Sequence, residues 1–397
     1  MDKKRSKITY LMIGGTLCLA AWAASAMPRM TTKPKVLPTT DPIVVTEPQP
    51  QPIVNVPKAR PRIEVVFALD TTGSMSGLID GAKRKIWSIA NFMAQGQPKP
   101  EIRIGLVAYR DKGDDYVTRF YDLSDDLDKV FEHLSSFEAG GGGDQPEHVS
   151  RALGEAVQKS SWTMDQTVLK QIYLVGDAPP HTDYNDGYDY RAIAKKANEA
   201  GIHINTIRCG GDYQTQLVWN EISRAASGEY ASIDQGGGVV VAASPFDDKL
   251  AALNARLVGT TVGYGRYRDE VRSKAAGAMA MPKSAQADRA GFFGSAGGAV
   301  SGEGDLLKDA ASGTVSAPAI AAMPAASLPA EIANLDGKGR NEWVAKKQAE
   351  REKISTEIKT LNDKRMDYLK AGRKADAFDA RVEDTVRKQA KSIGLSY

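Results

Sequence analysis

The chain has 397 residues, 42% of them apolar and 25% charged, which is enough for one large domain or two ordinary ones around a real hydrophobic core. Its formal charge of +3 (52 Lys and Arg against 49 Asp and Glu) falls to zero, 48 against 48, once residues 1–26 are removed, so the charge balance gives no support for nucleic-acid binding. The same removal leaves Cys209 as the sole cysteine, which excludes an intrachain disulfide and leaves stability to packing.

In chain order, residues 1–26 begin with the basic stretch "MDKKRSK", continue through apolar "ITYLMIGGTLCLAAWAA" and end on the small-x-small triplet Ala24-Ser25-Ala26. This is the form of an export signal, with an uncleaved signal-anchor as the alternative. Thr16 and Leu17 before Cys18 are not the small pair that lipid attachment needs. Residues 27–61 read as a linker, because nine prolines between 28 and 61 fix φ and remove amide donors too often for a helix or a strand. If the anchor is kept, it tethers the next domain to a membrane. The expected location is the periplasm or cell envelope.

From residue 62 the pattern is regular. "IEVVFALD" (63–70), "IRIGLVAYR" (102–110), "YVTRFYDL" (116–123), "KQIYLVGD" (170–177), "IHINTIRCG" (202–210) and "EYASID" (229–234) read as strands. The segments between them have the three-to-four residue apolar spacing of helices, and "FDDKLAALNARLVGT" closes the domain near residue 260. Such alternation predicts an α/β fold: a doubly wound, mostly parallel sheet over residues 62–260, with "YVTRFYDL", which alternates, at an edge. Residues 261–337 are expected to be a linker. Within 273–330, 18 Ala, 8 Gly, 7 Ser and 4 Pro make up 37 of 58 positions, leaving few large apolar groups to offset the entropy of ordering, apart from a patch at Phe292 and Phe293. Residues 338–397 regain helical character. Ile354, Ile358, Leu361 and Tyr368 follow a heptad-like track that Arg365 interrupts, consistent with a helical hairpin, a partner-dependent coiled coil or a solvated helix.

Ligands of an open parallel sheet gather beyond the carboxyl ends of its strands, where the strand order reverses. Three polar loops belong to that rim: "DTTGSMSG" after the first strand, "GGGGDQPEH" before a helix and "GDAPPHTDY" after the fourth strand. They offer Asp70, Thr72, Ser74, Asp144 and Asp177, hard oxygen donors of the kind magnesium takes. "DTTGSMS" resembles the Asp-x-Ser-x-Ser signature of von Willebrand factor A domains, and "YLVGD" is similar to the strand end that supplies the family's late Asp. The resemblance covers about residues 62–260. It implies a doubly wound α/β fold and a metal-ion-dependent adhesion site for Mg2+, or another divalent cation such as Mn2+ or Ca2+, held by Asp70, Thr72 and Ser74 with Asp144 and Asp177. Where the family commonly has Thr in the middle loop, this chain has Asp144. Three carboxylates around one dication leave a negative site, which disfavours a grip on an acidic partner.

Each residue also has a structural reading. Asp144 with Glu147 makes a capping box, Ser76 can cap a helix beginning at Gly77, and Asp177 can be a turn residue. Enzymatic readings fail on spacing: Met75 stands where a nucleophile elbow needs serine, "GGGGDQP" lacks the Gly-Lys-Ser/Thr of a phosphate loop, and no His-Glu-x-x-His occurs. His181 lies on the rim without a candidate nucleophile beside it. Tyr184, Tyr188 and Tyr190 make "HTDYNDGYDY" either a recognition loop or a plain turn. The expectation is an exported, non-enzymatic module that binds an unidentified protein through the metal site. The alternative is an envelope scaffold that binds through its C-terminal helices.

Overall fold

Strand β1 (Arg62–Asp70) is buried from its second residue to its last, as the near-continuous run "RIEVVFALD" requires of a strand covered on both faces. The computed structural model describes residues 60–165, 167–235, 243–372 and 378–397. The leader at 1–26 and nearly all of the proline-rich stretch lie outside the described residues. β1 pairs on one side with β2 (Glu101–Tyr109), which carries β3 (Thr118–Ser124) antiparallel at the edge. On its other side it pairs in parallel with β4 (Val168–Gly176), followed by β5 (Ile202–Cys209) and β6 (Tyr230–Ile233). The order β3-β2-β1-β4-β5-β6 puts the reversal of winding between β1 and β4, so Asp70 and Asp177 both lie at the switch point.

The side-chain period of two divides β1 between two cores. Ile63, Val65, Phe67 and Leu69 face the layer that contains α1 (Ser76–Met93) and α2 (Leu127–Ser135). Val66 and Ala68 face α3 (Val149–Lys159), α4 (Tyr190–Glu199) and α5 (Tyr213–Ala225). α6 (Asp247–Val258) belongs to the first layer, with Leu250, Leu253 and Leu257 in its core.

Residues 261–337, expected as a linker, are mostly helical. α7 (Arg268–Ala280) and α8 (Lys283–Ala296) are followed by short α9 (Leu306–Ala311), α10 (Ala317–Ala322) and α11 (Ala330–Ala333). The small residues serve close packing. A Cβ on Gly291 would fall within 2.5 Å of Asn91 and Asn362 atoms, and one on Gly294 would fall 2.6 Å from Ile358. α8 therefore reaches α1 at near-backbone distance, and Phe292 and Phe293 pack around Trp87 with ring centroids 5.7 and 6.0 Å away. Burying each ring contributes about 1.5–3 kcal/mol. The expected patch is thus part of the main core.

α12 (Gly337–Gly372) and α13 (Phe378–Gln389) lie on the same layer, with Ile354, Ile358, Val382 and Val386 buried. Arg365 does not interrupt that seam. It is buried and donates to Asp247 at 2.6 Å and Asp288 at 2.5 Å. Arg289 of α8, fully buried, donates to both oxygens of Asp128 (2.8 and 3.1 Å) and to Asn254. At the end of the chain Gln97 and Ser396 exchange backbone hydrogen bonds, and Tyr397 stacks on Phe92 at 4.6 Å. No described helix is long and apolar enough to cross a membrane.

Candidate functional site

The carboxyl ends of β1 and β4 open into a cleft of about 460 Å³ lined by Thr72, Ser74, Asp144, Glu147, Asp177 and Asp212, among others. Asp70 is hydrogen-bonded to the cleft-lining Thr72 and is fully buried. Its Oδ1 accepts the Thr72 backbone N–H at 2.9 Å and the Thr72 hydroxyl at 2.6 Å, while the equally buried Oδ2 has no hydrogen-bond partner. Such an orphaned carboxylate oxygen is costly unless a proton or a cation meets it. Burial, and then the charge of Asp177, push the Asp70 carboxyl up to about 7 against the hydrogen bonds from Thr72. The Ser74 hydroxyl lies 3.4 Å from that of Thr72 and is exposed to the cleft. Asp177 is half-buried, and its Oδ2 accepts from Gln235 at 2.5 Å. Gly176 makes the approach of the two acids practicable, because a Cβ there would lie 3.1 Å from Asp70 Oδ2 and would collide with the Tyr109 hydroxyl.

The middle loop differs from its capping-box reading. α3 begins only at Val149, after His148, and has no side-chain cap. The segment before it is drawn to the loop after β4 instead: Glu147 N–H donates to Pro179 O at 2.9 Å and His181 N–H to Glu147 O at 3.0 Å, forming a parallel bridge. This turns the Glu147 carboxylate into the cleft, buried, with Oε2 unpartnered. Burial first, and then Asp70, Asp111, Asp114 and Asp177, push it up to about 9. Asp144 lines the outer lip, 62% exposed and 3.5 Å from His181 Nε2. Ser76 likewise caps nothing, since a 3-10 turn (Gly73–Met75) precedes α1 and its N-cap is Met75.

Of the five residues proposed from sequence, Asp70, Thr72 and Ser74 share one turn, the loop of Asp177 adjoins Asp70, and Asp144 lines the same cleft but also lies 3.5 Å from His181. Glu147, Asp111 and Asp114 were missed as site residues. Asp111 follows the carboxyl end of β2, the strand beside β1, and the same rim rule reaches it. Asp114 fastens the glycine loop by accepting from Gly142 N–H at 3.0 Å. Cys209 borders the cleft, but burial, and then Asp177 and Asp70, push its thiol well above its ordinary range. The tyrosines of 184–190 are engaged inward. Tyr184 donates to Asp111 at 2.7 Å, Tyr188 covers Gly154, and Tyr190 is buried and donates to Glu221 at 2.9 Å.

The family profile described as "von Willebrand factor A domain" matches residues 64–244. The chain is similar to von Willebrand factor A domain-containing protein 7 of Rattus norvegicus, 32% identical over 120 residues that span 30% of this chain and 12% of that protein. The Homo sapiens protein of the same name is 31% identical over 120 residues, with the same coverage. Among solved structures, BatB from Bacteroides thetaiotaomicron (TM-score 0.33, 19% identity) covers 43% of this chain and 90% of that one. The SpRpn10 VWA domain (TM-score 0.34, 15% identity) covers 44% and 88%. With the strand order, the rim loops and the profile match all falling on the same segment, residues 64–244 of this chain belong to the von Willebrand factor A domain family.

Proposed function

We propose that this chain is an exported protein-binding module rather than an enzyme, and that it engages its partner through a divalent cation, Mg2+ or a similar ion, at the rim of its von Willebrand factor A domain. In general terms such a domain marks a protein-interaction or adhesion module. The observation that carries the metal reading is Asp70 Oδ2, buried, without a partner, and next to the loop of Asp177. Asp70, Thr72, Ser74 and Asp177 would hold the ion, all through oxygen, and Glu147 lines the same cleft. When bound, the ion supplies a Lewis-acidic position that a donor atom on a partner can complete. The surplus of carboxylates favours a neutral or basic partner surface over an acidic one. The alternative, binding through the C-terminal helices, is weakened because the apolar faces of α12 and α13 are already buried.

The test is thermal unfolding of the full chain in EDTA and in Mg2+. Ligand at a hundredfold its Kd stabilises by about 2.7 kcal/mol, so a rise of several degrees is expected for wild type and none for Asp70→Ala. An equal magnesium response in the two proteins would refute the metal reading.

A further inference from the structure

We infer that Asp111, Asp144 and His181 form a second cation site on the rim, suited to a zinc-type ion rather than magnesium. The three come from the segment after β2, the glycine loop and the loop after β4, and their ligand atoms all lie within 4.8 Å of one another. His181 Nε2 is 3.4 Å from Asp111 Oδ2 and 3.5 Å from Asp144 Oδ2. Bonds of about 2.0–2.1 Å at tetrahedral angles put neighbouring ligands about 3.3–3.4 Å apart, so the spacing is that of a tetrahedral edge.

Each buried member has one atom without a hydrogen-bond partner. The His181 side chain is 9% exposed and its Nε2 has no hydrogen-bond partner. The Asp111 side chain is 8% exposed and its Oδ1 has none either. The surroundings fix the imidazole with that nitrogen facing the two acids. His181 Nδ1 lies 2.8 Å from Asp183 Oδ1, so its N–H donates there and leaves Nε2 toward Asp111 and Asp144. A carboxylate behind a ligating histidine is the usual outer partner of a zinc site. Tyr184 adds a second support, stacking on the imidazole at 4.1 Å and donating its hydroxyl to Asp111 Oδ2 at 2.7 Å. Two carboxylates facing an imidazole lone pair repel it unless something positive lies between them. Imidazole as a ligand selects zinc-like ions over magnesium, which prefers oxygen alone. Three protein ligands, with Asp144 at the solvent edge, leave a fourth position for water or for a partner's side chain.

The experiment titrates the EDTA-treated, dialysed full chain with Zn2+ by calorimetry and with Co2+ by visible absorption. The wild type is expected to take up Co2+ with the intense d–d bands of a tetrahedral site. Asp70→Asn should keep those bands and His181→Ala should lose them while retaining the magnesium-dependent rise in melting temperature. Asp183→Asn, at an exposed positioning residue, should weaken zinc by about 10–100-fold, and it carries the test if His181→Ala does not fold. Absence of tetrahedral Co2+ bands in the wild type, or zinc and cobalt binding unaltered in both His181→Ala and Asp183→Asn, would overturn the site in favour of an imidazolium paired with its acids. Loss of the magnesium response alone would remove the first metal reading and leave this one standing.

Discussion

Asp70 and Glu147 share one electrostatic situation: each is a buried carboxyl with an oxygen that no protein group satisfies, and each repels the other. In metal-free protein the folded form therefore holds protons that the unfolded chain has released. With Asp70 raised from 3.8 to about 7 and Glu147 from 4.5 to about 9, the stability these protons supply is complete below about pH 4. It is lost as pH rises, first through the Asp70 value and then through that of Glu147. EDTA-treated protein is expected to melt lower at pH 9 than at pH 5, by a difference on the order of a few kcal/mol. Mg2+ should close the gap from the alkaline side, and Asp70→Asn should flatten the lower half of the decline. A melting temperature independent of pH in EDTA would contradict this account. The sequence makes Asp70 legible because it ends an apolar strand and begins a hydroxyl-rich turn. Glu147 is not legible in the same way, since the spacing Asp144-x-x-Glu147 fits a helix cap equally well and only the pairing with Pro179 and His181 decides against it.

At the scale of elements, the rim depends on backbone that approaches closely. Tyr109 donates its hydroxyl to Val175 O at 3.1 Å and cannot swing away from a side chain placed on Gly176. Gly176→Ala is expected to cost about 1–3 kcal/mol by overpacking and to abolish the magnesium response. Gly143→Ala, where nothing lies within 4 Å, should change neither. Chemical denaturation and the thermal assay check the two halves. The alternation of strands and helices was readable because buried parallel strands need continuous apolar runs and the covering helices need stripes. β3, antiparallel at the edge, matches its more alternating sequence. Helix starts were less readable. Asp189 and Asp212 do cap α4 and α5, whereas Ser76 and Asp144 cap nothing, because tertiary hydrogen bonds recruit the segments in front of α1 and α3.

For the whole molecule, the helices after residue 260 are part of one cooperative body. Arg289 joins α8 to α2 and α6 through Asp128 and Asn254, and α12 is joined to α6 and α8 by Arg365. Leaving a buried charge without its partner costs about 3–5 kcal/mol, whereas replacing both members of the pair by apolar groups of similar volume is far milder. Arg289→Ala is thus expected to destabilise strongly, because it leaves Asp128 buried and unpaired, and the double replacement Arg289→Met with Asp128→Leu much less, both with a single urea transition. An Arg289→Ala loss below about 1 kcal/mol would show that α8 is only loosely docked. Composition concealed this part of the fold, since alanine and glycine signal poor burial in an isolated segment but permit close contact once a partner such as Ile358 or Asn362 stands opposite. The pinned tail has a consequence for presentation. The polypeptide enters the sheet at Arg62, and Tyr397 is held on Phe92, near where β2 begins. Asp70 stands eight residue steps further along β1, about 26 Å at ~3.3 Å per residue. The entry to β1 and the seated C-terminal tyrosine therefore both lie at the pole of the sheet opposite the acidic rim, which leaves the rim loops free of either.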